Sequence, residues 1–262
     1  MAGGCRKIRL EKDVDVCTVL LRYAPGGRWP LLLAAVRDEF VDRAWDPPGR
    51  HWAGDAAGLI GGRDRVAGGT WLAVDPARPA VAAVLNGVRL PEPAGGVRPS
   101  RGGLPLTALT GGELPDLAAY DGVHLLRGGL DRLELWTWDG VAVRHRELAP
   151  GHHIVVNDGV DLVGQPLVAH FMPLLVAAGE PDPRPRLPPE RAWGDWLRLL
   201  AGDGLDPADP RAVIIRREYE GRPYGSTSAT LVALGTDAVR YDFAARPGPV
   251  GAWHEVRAPS RA

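Results

Sequence analysis

Short apolar runs separated by Gly- and Pro-containing turns recur along this chain, and their pairing restricts the fold more than any other feature. "CTVLLRY" and "WPLLLAAV" flank "APGGR", which supplies proline and paired glycines where a hairpin must reverse. "GGTWLAVD" and "AVAAVLNGV" flank "PARP" and form a second strand pair. "LELWTWDG" and "VAVRHREL" meet at Asp139-Gly140. That dipeptide suits a turn, because Asp bonds its own backbone and Gly supplies positive φ. "HHIVVND" reads as another strand, and "AVIIRREYE", "STSATLVALG" and "AVRYDFAAR" as three more. Strands joined by tight hairpins are antiparallel, so the expected sheets are of that kind.

The rest of the chain carries other signals. "RLPEPAGGVRPSRGG" reads as a loop, and "LPLTALTG" and "ELPDLAAYDGVHLLRG" as short helices or mixed structure. "PLVAHFMPLLVAAGE" has helical spacing, with Pro173 expected to kink it and Gly179 to cap it. "PDPRPRLPP" is a stiff proline connector. "ERAWGDWLRLLAGDG" predicts one amphipathic helix with Trp193, Trp196, Leu197 and Leu200 on one face. Strands flank this helical region, and no stretch looks like an independent second domain. The expected fold is α+β, with stacked antiparallel sheets and helices outside, as a single domain over residues 17–262.

Composition narrows the function classes. With 45% hydrophobic residues in 262, the chain can bury a sizeable core. A formal net charge of -1 gives no reason to expect a nucleic-acid partner or an anionic membrane surface. The longest apolar runs fall short of the roughly 20 residues that a spanning helix needs. No charged start leads into a long apolar stretch, so a signal peptide is not expected. Two cysteines, Cys5 and Cys17, cannot make a disulfide framework, and the cytoplasm is the expected location. No His/Cys spacing suggests zinc and no Cys-x-x-Cys-His run is present, so no metal is expected.

Residues 1–16 differ from the rest. The only two lysines are Lys7 and Lys12, and every later positive charge is an arginine. Heavy Arg, Ala, Gly and Pro usage suggests a GC-rich genome, and valine codons include GTG, a common bacterial start. Val16 is therefore a candidate initiator, which would make Cys17 residue two and expose its amine once the initiator is removed. The alternative is a short disordered leader ahead of an ordinary strand cysteine.

"AAVRDEFVDRA", "GGRDRVAGGTWLAVD", "AAVLNGVR", "RPSRGGLP" and "VVNDGVDL" occur in that order. On these motifs the chain resembles the NRDE family, also called the transport and Golgi organisation family, over roughly residues 17–245. The resemblance implies a four-layer αββα sandwich of the N-terminal nucleophile hydrolase type, with Cys17 where the family's nucleophile candidate sits. It also brings haem into play, because animal members are implicated in haem trafficking. Two departures stand out. The Asn expected before Arg-Asp-Glu is Val36, and Thr227 in "GSTSAT" stands where an arginine is expected. Arg222 is the nearby candidate to compensate.

A free amino-terminal cysteine has chemistry that an internal one lacks. Its α-amine, with a pKa of about 8, can serve as general base for its own thiol. The thiolate then attacks an amide carbonyl, and water cleaves the resulting thioester. Arg37 and Glu39 share one strand face and Asp38 takes the other. Arg37 would favour the thiolate and Asp38 would orient the amine, with Glu39 as the alternative acid. Asn86 and Asn157 each follow an apolar strand and are candidate oxyanion donors. "GGRDRVAGG" lacks the ending of a phosphate loop, and Arg63, Asp64 and Trp71 are candidate ligand-binding residues in a cleft. His51, His152, His153 and His170 are expected to be structural or surface residues. The expected activity is therefore amidohydrolysis of a non-peptide amide with no required cofactor. The alternative is a non-catalytic carrier of haem or another apolar ligand on the same fold.

Overall fold

A computed structural model describes residues 17–93, 96–219, 221–247 and 253–257. The expected leader and Val16 lie outside the described residues.

The chain opens with a hairpin of β1 (Thr18–Tyr23) and β2 (Leu31–Phe40). Seven consecutive strands follow: β3 (Trp45–Gly49), β4 (Ile60–Asp64), β5 (Leu72–Asp75), β6 (Ala80–Asn86), β7 (Val123–Gly128), β8 (Leu133–Trp138) and β9 (Val143–Glu147). Helix α1 (Leu104–Thr110) lies between β6 and β7. Next come β10 (Gly151–Val156) and β11 (Gly159–Val160), then helices α2 (Pro166–Ala177), α3 (Pro189–Trp193) and α4 (Asp195–Leu200). The last strands are β12 (Arg216–Tyr219), β13 (Arg222–Leu234), β14 (Val239–Ala245) and β15 (His254–Glu255).

Among the described residues these strands form two antiparallel sheets. One is a meander in simple chain order, β3 to β9. The other is ordered β11-β10-β1-β2-β13-β14-β15, with β12 paired to β13. It therefore joins the start, middle and end of the chain.

β2 shows why the apolar run forms a strand without alternating polarity. Its neighbours are β1 and β13, and both faces are covered, so Leu31 to Val36 are all buried. Leu31, Leu33 and Ala35 pack against Leu72, Val74, Ala83 and Leu126 of the meander. Leu32, Ala34 and Val36 face the other way, onto Phe171 of α2, Trp193 of α3 and Trp196 of α4. Each fully buried leucine contributes about 1.5–3 kcal/mol relative to exposure. On the meander's outer face, Ala73, Ala82 and Leu125 pack with Leu104, Ala108 and Leu109 of α1. The protein is a mixed α+β structure built mostly from antiparallel sheet, and among the described residues no helix is long and apolar enough to cross a membrane.

Several local expectations change. The single helix expected in "ERAWGDWLRLLAGDG" is broken into α3 and α4 at Gly194, whose φ of +52° ends the first helix. The break still leaves Trp193 and Trp196 fully buried, 6.3 Å apart. α2 continues past Pro173 to Ala177, and Gly179 with φ +69° turns the chain after it. "WDPPG" and "IGGRD" are strands β3 and β4 although prolines and glycines disguise them. Of the described residues of "AVIIRREYE", Arg216–Tyr219 are strand, while Ala212 to Ile215 are buried ahead of it and Ile215 is held by Ser226, whose N–H donates to its carbonyl at 3.0 Å. "ELPDLAAYDGVHLLRG" resolves into a single turn of tight helix, Leu117–Ala119, followed by β7.

Candidate active site

Strand register assembles the site. β1 pairs with β10 as Val19 opposite Val155, and with β2 as Thr18 opposite Val36. Carried two steps beyond the β10 register and one beyond the β2 register, the pairing sets Cys17 between Asn157 and Arg37. The pairing of β2 with β13 sets Ser228 opposite Arg37. Alternation places all four on the face turned to the meander, since Val19, Ala35, Val155 and Val232 pack into the core between the sheets. By that extension Asn157, just past β10, and Cys17, just before β1, fall in one row with Arg37 of β2 and Ser228 of β13.

The groups in this row have distinctive partners. Cys17 Sγ lies 3.6 Å from the Asp38 carbonyl oxygen, to which the thiol donates. Arg37 is buried, donates to Thr227 Oγ1 at 2.9 Å and pairs with Glu39 at 3.5 Å. Burial works to lower the Arg37 pKa, while the charges of Glu39 and Cys17 oppose that shift. Asn157 Oδ1, Asn157 Nδ2 and Ser228 Oγ are buried with no hydrogen-bond partner. Buried polar atoms left unpaired cost about 1–3 kcal/mol each, which sets these two side chains apart from the apolar core around them.

A bulge between Ser226 and Ser228 explains how β13 serves both faces of β2. Thr227 accepts from Arg37 and donates to the Arg37 carbonyl at 3.2 Å. Ser226 donates to Asp38 Oδ1 at 2.5 Å on the opposite face. The position expected to carry arginine therefore holds Arg37 in place through a threonine. Arg222 does not substitute for the missing charge. It bonds Asp42 at 2.8 Å and stacks on Phe40 at 4.0 Å, engaged at an exposed hairpin.

The meander roofs the row. Trp71 lies with its ring 4.5 Å from the Arg37 guanidinium carbon, within cation–π reach. It can lie flat there because residue 62 is glycine: a Cβ at Gly62 would stand 2.2 Å from the Trp71 ring. Cys17, Arg37, Ala35, Trp71, Ala83 and Leu85 line a cavity of about 20 Å³ between the sheets. That is room for about one water. A haem macrocycle does not fit this space, and no histidine lines it.

Beyond Glu39, which pairs with Arg37, further charges are tied to one another. Arg43 pairs with Glu39 at 3.5 Å and with Asp64 at 2.7 Å. Burial opposes ionisation of Asp64, but the Arg43 hydrogen bond and the Ala67 and Val66 backbone N–H groups hold its pKa below the usual range. Arg63 is held by Asp46 at 2.6 Å.

The structure thus brings Cys17, Arg37 and Trp71 together around the cavity, with the Asp38 carbonyl against the thiol, whereas Asn157 lies outside the lining and is tied to β7 through its carbonyl. The Asp38 carboxylate faces the helices. Asn86 ends β6 on the pleat of Ala82 and Val84, next to cavity-lining Leu85 but outside the lining. Arg63 pairs with Asp46 and Asp64 with Arg43, and neither lines the cavity. His51 contacts the Pro47 carbonyl at 2.8 Å and His153 bonds Asp161 at 2.7 Å, while His170 lies 3.4 Å from Asp203.

Sequence reasoning missed Ser226 and His124, and it singled out Thr227 as a departure from the family without its contact to Arg37. Ser226 and Thr227 carry no signal of contact with β2, which is 188 and 190 positions away. His124 is buried on β7 and contacts Thr137 Oγ1 at 3.0 Å and the Asn157 carbonyl at 2.9 Å. Alternation with Leu126 in "VHLLRG" was its available signal.

The chain was also compared with known proteins. No curated protein matches it. A family profile described as Transport and Golgi organisation 2 matches residues 16–158, a span that includes Cys17, Arg37, Trp71, His124 and Asn157 but ends before Thr227. With more than half of its length matched, the chain belongs to the Transport and Golgi organisation 2 family.

Proposed function

We propose that this chain is a cysteine amidohydrolase of the N-terminal nucleophile type, acting on a non-peptide amide. The observation that carries the reading is the row Asn157, Cys17, Arg37 and Ser228, in which the outer two side chains hold buried polar atoms with no partner. The layering supports it: α2 to α4 cover one outer face of the paired sheets and α1 the other, the order expected of an αββα sandwich.

In this reading the Cys17 α-amine takes the thiol proton, and Arg37 favours the thiolate so formed. The thiolate attacks the amide carbonyl, forming a C–S bond and moving the carbonyl π pair onto oxygen. The Asn157 Nδ2 donors receive that oxyanion, a contribution of about 3–4 kcal/mol when such a donor is well placed. Collapse breaks the C–N bond, and the Cys17 ammonium returns its proton to the departing amine. Water then cleaves the thioester, with the amine again as base, and restores the thiol.

The chemistry requires a free Cys17 amine. The test is the intact mass and amino-terminal sequence of the protein purified from its native host, paired with acylation of Cys17 by an activated ester. A free Cys17 that is acylated, with acylation lost in Cys17→Ala, supports the mechanism. A native chain whose Cys17 amine lies within a peptide bond sinks it, because the general base is then absent.

A further inference from the structure

Asn157 occupies an unusual position for a residue that must hold an oxyanion. It lies in the two-residue turn between β10 and β11, where Val156 pairs with Gly159, so its carbonyl is outside the strand ladder. Its side-chain amide has no hydrogen-bond partner that fixes it. The contact that ties its backbone across to the meander comes from His124, 33 positions earlier.

We infer that His124 is a positioning residue for Asn157, holding its amide toward the reacting carbonyl through the Asn157 main chain; this rests on the amidohydrolase reading. The hydrogen-bond pattern assigns the tautomer. A carbonyl oxygen only accepts, so His124 Nε2 must carry the proton that reaches the Asn157 carbonyl at 2.9 Å. Nδ1 is then the acceptor for the Thr137 hydroxyl at 3.0 Å. Thr137 on β8 stands directly opposite His124, and Leu85, which lines the cavity, is paired with it on the other side. The imidazole is therefore fixed at both nitrogens and packed beside the cleft wall. It links the meander to the one turn of the other sheet that bears the proposed oxyanion donor. A buried ring with both nitrogens committed suits a fixed strut rather than a proton carrier.

The test separates reactions that build an oxyanion from those that do not. Acylation of Cys17 by p-nitrophenyl acetate passes through a tetrahedral oxyanion, whereas alkylation by iodoacetamide displaces iodide without one. His124→Leu should lower the acylation rate by about 10- to 100-fold, part of the loss seen on deleting an oxyanion donor outright. Alkylation should stay within about twofold of the parent rate if only the donor geometry is lost. His124→Gln, which keeps an N–H donor, should recover much of the acylation rate. Thr137→Val supplies a milder variant if His124→Leu does not fold, with a smaller loss of the same selective kind. Unchanged acylation in these variants, or acylation and alkylation falling together, overturns the role of His124 and leaves the nucleophile reading standing. Absence of Cys17 acylation in the parent protein overturns the amidohydrolase reading and this inference with it.

Discussion

Replacing Gly62 by alanine isolates the packing that sets the roof of the cleft. The added Cβ would stand 2.2, 2.4 and 3.1 Å from three Trp71 ring atoms, which are its three nearest neighbours. The ring must retreat by about 1.2 Å to reach the 3.4 Å of ordinary contact. It cannot retreat freely, because Arg37 lies 4.5 Å from its ring and Trp45 packs edge-on with centroids 5.9 Å apart. Forcing a methyl into such packing costs about 1–3 kcal/mol. With Trp71→Ala already present, the clash disappears. Gly62→Ala should then cost nothing and, since Gly62 has no positive φ, should gain up to about 1 kcal/mol from the unfolded chain. Urea denaturation of the four proteins in this double-mutant cycle gives the coupling, expected at about 1–3 kcal/mol. An equal cost of Gly62→Ala with and without Trp71 would falsify the account, since the strain would then lie in the strand and not against the ring.

Two further outcomes follow from buried charge. Arg240 and Asp242 are fully buried, with Arg240 Nε 2.5 Å from the Asp242 carboxylate, Trp193 Nε1 donating to it at 2.7 Å, and Arg240 Nη2 bonding the Leu187 carbonyl at 2.8 Å. Asp242→Ala strands the guanidinium and should cost about 3–5 kcal/mol, whereas Arg240→Met with Asp242→Leu should cost much less; equal losses in urea denaturation would refute the pairing argument. Burial lowers the His124 pKa below 6.5, with its bond to the Asn157 carbonyl opposing the shift. The unfolded chain then binds the proton more readily, so this contribution is complete above about pH 6.5 and is lost as pH falls from there through the folded value. His124→Gln should reduce the loss of stability between about pH 7 and about pH 5, and an unchanged slope would contradict it. His153, whose pKa Asp161 raises, contributes in the opposite direction but is common to both proteins.

The sequence by itself determined the hairpins and, through them, half of the site. Cys17 and Arg37 are close in the chain, so one turn and the period of two suffice to set them opposite each other and to send Asp38 to the other face. It also gave the apolar strands around Asn86 and Asn157. It did not reveal β3 and β4, because "WDPPG" and "IGGRD" violate strand preferences and are held by pairing, with Gly62 exchanged for space that Trp71 fills. It did not reveal the break at Gly194, where a good amphipathic pattern runs through a residue free to leave the helix. Only the tertiary structure decided that β13 lies beside β2, that its bulge aims Ser226 at Asp38 and Thr227 at Arg37, and that His124 reaches Asn157. The physical reason is range. Periodicity and turn chemistry act over a few residues and fix which face a side chain takes. The register between strands nearly 190 residues apart is fixed by burying both faces of β2 at once, which no local stretch of sequence records.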